Sequence, residues 1–208
     1  MEYDHENHEE CAVSKNIRYR TKWIFSLVFI PMTIFLIRPF MAKQIFYRAT
    51  SYQSCGLRSD SIRQYKKALL IDGDNADVWC SLADLHKEMG NIDEALKAYE
   101  RAVVAELMSR RANYSLGMTL ALYKQQYAEG MRYWERVREI GPEDADENGR
   151  YMVSYYKLSL SSLAIGYQKL NKIDKAIAIL EELLEYYPKD EELAEKLKQI
   201  SALRNRRS

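Results

Sequence analysis

A stretch of 34 residues, 76–109, constrains the fold of this chain more than any other part. In its first half Leu82, Leu85 and Met89 recur at i, i+3 and i+7, the spacing that places side chains on one face of an α-helix. Gly90 follows at once, and glycine adopts the left-handed conformation that ends helices at little cost. The stretch therefore predicts two helices joined by a tight turn. Because one such hairpin cannot bury its own apolar face, we expect similar neighbours.

The same stretch resembles a tetratricopeptide repeat, a helix–turn–helix unit of about 34 residues. Two residues depart from the family's pattern: His86 stands where tyrosine is usual, and Leu107 where proline is usual. The resemblance implies an all-α fold in which stacked hairpins form a superhelix. The residues that carry it fall at positions 4, 7, 8, 11, 15, 20, 24 and 27 of the unit and are Trp79, Leu82, Ala83, His86, Gly90, Ala95, Tyr99 and Ala102.

Three further units match the same pattern less closely. The unit at residues 110–144, the third along the chain, requires one inserted residue near Gln125. The predicted fold is a right-handed superhelical array of about four hairpins with a C-terminal capping helix, preceded by a single transmembrane helix. The expected repeats and the capping helix cover residues 42–75, 76–109, 110–144, 157–190 and 190–207, which together make an array over residues 42–207.

An uncharged apolar run precedes the repeats, from Trp23 to Ile37. Its 15 residues would form about 22 Å of helix, whereas a bilayer normally requires about 20 residues. Counted through Ala42, the run reaches that length and is interrupted only by Arg38, whose side chain can extend to water at the membrane edge. We therefore predict a transmembrane anchor over residues 23–42. Its representative residues are Trp23, Phe29, Pro31 and Ile37.

A cleaved signal peptide is the alternative explanation of this run, because such peptides have an apolar segment of similar length. Phe40 lies three residues before Lys43, and its large side chain makes a poor cleavage site, which favours the anchor. Four basic residues precede the run and four follow it, so their numbers alone do not decide how the anchor is oriented in the membrane. The basic residues nearest to the run favour a cytoplasmic N-terminal side. In this single-pass orientation the repeats face away from the cytoplasm. Residues 1–22 are expected to be a disordered tail, cytoplasmic or otherwise exposed.

Composition and motifs argue against several functions. The net charge is +1, so no overall field attracts nucleic acid, and none is expected as a partner. His86 lies outside the N-terminal tail, but it occupies a packing position of the repeat, so we expect a structural role. The chain has no phosphate-binding glycine loop, nucleophile elbow or HExxH motif. We predict no enzyme activity, no catalytic residues and no cofactor.

Two motifs have the spacing of metal ligands. In the tail, His5, His8 and Cys11 could bind a soft or borderline metal, but a polar tail with incidental histidines also explains them. Residues 144–149 match the first half of a calcium loop, but Tyr155 stands where the bidentate glutamate is required. An acidic loop between repeats explains this segment equally well. No metal site is predicted at either place.

The resemblance also implies a binding surface. In this family the first helices of successive repeats line the inner groove of the superhelix. Mapped onto this chain, the groove has a charged part on the second unit and an apolar floor with a cationic rim on the third and fourth. The alternative is that some of these side chains pack between units or face the end helix. The predicted groove residues are Asp84, Lys87, Arg111, Tyr114, Met118, Leu122 and Ile165.

These features predict a membrane-anchored adaptor or scaffold. A protein or peptide partner with one or two hydrophobic anchors would dock in the groove, and residues 23–42 would contact the lipid bilayer. The alternative is a regulatory or assembly subunit of a membrane enzyme complex, in which the repeats place a catalytic partner. Some members of this family bind the acidic C-termini of chaperones with a clamp of lysine, asparagine and arginine side chains at fixed groove positions. Only Arg111 matches one of these positions, so we do not expect this clamp here.

Overall fold

The structure is a computed structural model that describes residues 36–142 and 154–205. Within these ranges the chain forms nine helices and no strand, so the predicted all-α class is confirmed. The helices are α1 (36–54), α2 (Arg58–Ile71), α3 (Ala76–Glu88), α4 (Ile92–Ala105), α5 (Arg110–Tyr123), α6 (Tyr127–Ile140), α7 (Tyr155–Lys169), α8 (Ile173–Tyr186) and α9 (Glu191–Asn205).

Successive helices pair as hairpins, and the hairpins stack into a solenoid. Helix α3 packs on α4, α5 on α6 and α7 on α8, while α2–α3, α4–α5 and α6–α7 contacts join neighbouring hairpins. Helix α1 packs on α2, where the ring centroids of Phe46 and Tyr65 are 5.9 Å apart. The hydroxyl of Ser61 donates to the carbonyl oxygen of Ala49 across the same interface, at 2.9 Å. Helix α9 packs on α8 and closes the array.

Short polar residues fix the starts of the first helices. Asn75 accepts a hydrogen bond from the backbone N–H of Val78 at 3.1 Å, which satisfies one of the unpaired donors at the start of α3. Ser109 and Ser154 cap α5 and α7 in the same way. Helix α5 has 14 residues against 13 in α3 and 15 in α7.

Small residues allow the two helices of a hairpin to approach closely. Ala83 and Ala95 are completely buried between α3 and α4. In the next hairpin Gly117 and Gly130 take the corresponding places. The approach there is closer still, because a Cβ atom built on Gly130 would lie 2.5 Å from the carbonyl oxygen of Gly117.

The C-terminal end of the predicted anchor lies in α1, which is helical from residue 36, where the described residues begin. Ala42 is buried in the array. The sequence suggests that Arg38 extends to water at a membrane edge. It instead donates from Nε and Nη2 to the carbonyl oxygen of Ile71, at 3.1 and 2.6 Å. The last carbonyl groups of a helix carry partial negative charge, which attracts a guanidinium group.

Several predicted features lie outside the described residues. They include the tail and most of the anchor, with Trp23, Phe29 and Pro31, and both candidate metal motifs at residues 5–11 and 144–149. In the parts of the chain that are described, no helix combines the length and the apolar character needed to span a bilayer. Ile37, the remaining anchor residue named above, is exposed on α1.

Candidate functional site

The first helices of three hairpins form one continuous surface. Helix α3 contacts α5, and α5 contacts α7, although each pair is separated in the chain by a complete second helix. We call the surface formed by α3, α5 and α7 the inner face. All seven predicted groove residues belong to these helices.

Between α3 and α5 the inner face carries a polar network centred on Asp84. Its carboxylate accepts hydrogen bonds from Nη2 of Arg111 at 2.8 Å, from Nζ of Lys87 at 3.2 Å and from the hydroxyl of Tyr99. Arg111 also donates to the hydroxyl of Ser81 at 3.3 Å. The network therefore links the second repeat to the third.

The network sets the protonation of its members. Burial by itself raises the pKa of a carboxyl group, but at Asp84 the hydrogen bonds from Tyr99 and Arg111 outweigh burial and hold the pKa below its ordinary 3.8. Burial, followed by the charge of Asp84, raises the pKa of Tyr99. Burial also raises the pKa of the neighbouring Cys80 thiol to about 12. This thiol therefore stays protonated and unreactive at neutral pH.

Asp84→Asn is expected to lower the free energy of unfolding by about 2 kcal/mol near neutral pH, because it removes charge-assisted hydrogen bonds from a partly buried site. Since the pKa of Asp84 is lower in the folded chain, its stabilisation is present above the ordinary value and is lost as pH falls through the folded-state pKa. The difference between the two proteins should therefore shrink as the pH falls below the ordinary value of 3.8. Urea unfolding of both proteins, at neutral pH and at a series of acidic pH values, measures the difference.

The control for this prediction is Asp77→Asn, because the carboxylate of Asp77 is largely exposed and lies 3.6 Å from Nη1 of Arg111. An exposed ion pair contributes little, so this variant should unfold like the wild type. An Asp84→Asn effect that does not shrink anywhere in the acidic range would contradict the assignment of the acid sensitivity to this carboxylate.

Between α5 and α7 the inner face is apolar. The ring centroids of Tyr114 and Tyr155 are 5.7 Å apart, and the hydroxyl of Ser162 donates to the sulfur of Met118 at 3.6 Å. Tyr114 and Met118 are partly buried, because they also pack on the core below them. These contacts fix the register of the two helices.

Leu122 lies one helical turn beyond Met118, at the level of Ile165 in that register. Both side chains point outward, since Leu122 is 58% exposed and Ile165 is 50% exposed. We call Tyr114, Met118, Leu122 and Ile165 the apolar strip. Its first two members pack on the core, and its last two are exposed to solvent.

The structure changes the interpretation of Arg111. The sequence suggests a cationic rim beside the apolar floor, with Arg111 as its charge. The Arg111 side chain is only 27% exposed and is paired with Asp84, so it holds two repeats together. Lys87 is engaged by the same carboxylate and by the hydroxyl of Tyr99, at 3.0 Å.

Ile165 also lies next to helices at the C-terminal end of the array. It lines a cleft of about 420 Å³ between α7 and α9. The apolar lining includes Leu180, Ile200 and Leu203, and Lys196 also lines the cleft. This observation supports the alternative that part of the predicted groove faces the end helix.

Two tyrosines of the site were not predicted from the sequence. The sequence assigns Tyr155 to the calcium-loop position where glutamate is required. It assigns Tyr99 only to the repeat pattern. A signal for Tyr155 exists, because Ser154 is a good helix cap and would start the seventh helix two residues before the expected unit at residue 157. Tyr99 could not be linked to Asp84 from spacing alone.

The described residues contain no group of three or more histidine, cysteine, aspartate or glutamate side chains that could hold a metal ion. His86 lies half-buried on α3. Burial, followed by the charge of Lys66, lowers its pKa, so the imidazole is neutral at neutral pH. These properties suit a packing residue.

The helices define a helical-repeat solenoid with a continuous inner face. Two family models, both described as tetratricopeptide repeat, match residues 64–97 and 154–190. The chain therefore carries tetratricopeptide repeats, as the sequence predicted. The first match begins in α2 and ends in α4, so it starts 12 residues before the repeat that begins at Ala76. The second covers α7 and α8.

Solved structures share this fold. PilF from Pseudomonas aeruginosa is 17% identical with a TM-score of 0.61, over 81% of this chain and 71% of that one. MamA from Desulfovibrio magneticus RS-1 is 15% identical with a TM-score of 0.60, over 79% of this chain and 85% of that one. SycD from Yersinia enterocolitica, in complex with a peptide of the translocator YopD, is 17% identical with a TM-score of 0.52, over 61% of this chain and 92% of that one.

A curated human protein, Protein O-mannosyl-transferase TMTC3, is 28% identical over 149 residues. The match covers 60% of this chain. It covers only 16% of the transferase, so this chain corresponds to a small part of that protein.

Proposed function

We propose that this protein is a membrane-anchored adaptor that docks a protein or peptide partner on its inner face and performs no catalysis of its own. The observation that carries the proposal is the apolar strip, where Leu122 and Ile165 are exposed on the inner face of a repeat array. Apolar side chains grouped on one surface are typical of a site that buries anchors of a partner. The peptide complex of SycD, which shares the fold, supports the same use of the array.

The charges of the inner face favour a partner with apolar rather than acidic anchors. Arg111 and Lys87 are both engaged by Asp84, so neither offers a free cation. Lys169, near the end of the strip, lies 4.4 Å from the ring centroid of Tyr127 and donates to its hydroxyl. From residue 114 to residue 122 the strip extends about 12 Å along α5, just over two helical turns, which suits apolar side chains on successive turns of a helical peptide.

The membrane part of the proposal rests on the apolar run Trp23–Ile37, which leads into α1 without a linker. We expect the full-length protein to stay with the membrane pellet after carbonate extraction, because an apolar segment of this kind is held by the bilayer and not by surface charge. Release into the supernatant, or a mature N-terminus near Lys43, would contradict the anchor and favour a cleaved signal peptide.

A second candidate function is a regulatory or assembly subunit of a membrane enzyme complex. The similarity to part of an O-mannosyl-transferase favours it, because there a related segment belongs to an enzyme. In this chain the repeats would instead place a separate catalytic partner. Gentle detergent extraction and co-purification distinguish the two functions. One enzyme recovered in fixed stoichiometry supports the subunit, whereas non-enzymatic partners that compete for the inner face support the adaptor.

A further inference from the structure

The outward face of α1 is apolar although no described part of the chain covers it. Leu36, Phe40 and Tyr47 follow one another at intervals of four and seven residues, so they form one stripe along the helix. Phe40 is 64% exposed and Tyr47 is 52% exposed. Ile37 and Met41, also exposed, widen the stripe at its N-terminal end. Exposed apolar side chains grouped on one helix face indicate an interaction surface.

Helix α1 cannot turn this stripe inward, because its opposite face is fixed to the array. Ala42 and Ala49 are buried there, and Ser61 donates to the carbonyl oxygen of Ala49. The two hydrogen bonds from Arg38 to the carbonyl oxygen of Ile71 hold the start of α1 against the end of α2. The stripe therefore stays outward for as long as the first repeat is folded.

The charges on α1 itself have one sign. The described part of α1 has no aspartate or glutamate, and its cations are Arg38, Lys43 and Arg48. Lys43 and Arg48 are exposed, and Nζ of Lys43 lies 5.9 Å from the ring centroid of Tyr47. An apolar stripe with basic residues on the same exposed side of the helix is typical of helices that lie in the headgroup layer of a bilayer with anionic lipid.

We propose that α1 lies along the membrane surface, with Leu36, Phe40 and Tyr47 in the headgroup layer and Lys43 and Arg48 at lipid phosphates. The inference rests on the proposed membrane attachment, and it takes residues 36–42 out of the anchor predicted over residues 23–42. The bilayer is the favoured occupant because the uncharged run Trp23–Ile37 continues directly into the stripe. The first repeat is then part of the membrane contact, and the inner face is held at a fixed angle to the bilayer.

The experiment uses the full-length chain in phosphatidylcholine vesicles with and without phosphatidylserine. An environment-sensitive nitrobenzoxadiazole label is attached at Phe40→Cys or Tyr47→Cys in a background with Cys11→Ser and Cys55→Ser. Cys80 is retained, because it is buried and its thiol does not label. The matched control carries the label on the native Cys55, exposed in the turn that ends α1.

We expect blue-shifted emission and quenching by a lipid-borne spin label at positions 40 and 47. The quenching should be at least threefold stronger than at Cys55, and greater with phosphatidylserine. Water-like emission at position 47 in a vesicle-bound protein would overturn this inference and leave the anchor intact. A blue shift without lipid quenching that grows with protein density would mean that a second copy covers the stripe, and would also overturn it. Failure to recover the protein with vesicles would overturn both this inference and the membrane attachment.

Discussion

Gly130→Ala is expected to lower the free energy of unfolding by about 1–3 kcal/mol, even though alanine is the better helix former. A Cβ atom at Gly130 would lie 2.5 Å from the carbonyl oxygen of Gly117 and 3.3 Å from Cβ of Ala121. The nearest atom belongs to the backbone of the facing helix, so α5 and α6 would have to move apart. The midpoint of urea unfolding, followed by far-ultraviolet circular dichroism, measures the change.

Gly166→Ala is the matched control, since Gly166 is also a buried glycine within a helix. Its added Cβ atom would meet Met131, at 2.8 Å from Sδ and 3.1 Å from Cγ. Methionine is flexible and can move aside, so the gain in helix propensity should offset most of the crowding. Equal destabilisation by both variants would contradict a special backbone contact between Gly117 and Gly130.

The double variant Leu122→Glu with Ile165→Glu is expected to weaken partner binding more than a hundredfold. Truncating one buried anchor costs about 2 kcal/mol or more, and a carboxylate in its place adds the cost of burying a charge. Folding should be nearly unchanged, because both side chains are exposed and the changes remove few internal contacts. Affinity for a partner that co-purifies with the wild type, measured by titration of the purified variants, tests the prediction.

The matched control is Val104→Glu with Leu107→Glu. These two side chains are also exposed and apolar, and they line a cleft of about 500 Å³ between α4 and α6, away from the inner face. The control should bind like the wild type. If it loses binding while the inner-face variant does not, the partner occupies the cleft between the second helices.

The repeat fold and part of the candidate site could be predicted from the sequence. Helix pairing and the small residues between helices follow from local spacing, so the hairpins and the array of repeats were predicted. The same mapping placed Leu122 and Ile165 on the inner face. From sequence alone, Tyr114 and Met118 are equally good probes of the groove. The structure packs both on the core, so truncating them would also affect stability.

Interactions between repeats could not be predicted, because they depend on the angle between hairpins and on side-chain rotamers. Arg111 and Asp84 are 27 residues apart, and Arg38 and Ile71 are 33 apart. No helical periodicity relates residues at such separations. The sequence could assign a charge to Arg111, but it could not show that Asp84 accepts its hydrogen bond. Arg111→Glu is therefore a stability variant and a poor probe of association rate.

The most direct test of the central claim, that the inner face binds the partner, is site-specific photocrosslinking in the full-length protein within its native membranes. A photoreactive side chain replaces Leu122 in one protein and Val104 in another. The adaptor function predicts a discrete adduct from position 122, the loss of that adduct when Ile165 is changed to glutamate, and none from position 104. An adduct from position 104 alone, or one from position 122 that persists after Ile165→Glu, would contradict it.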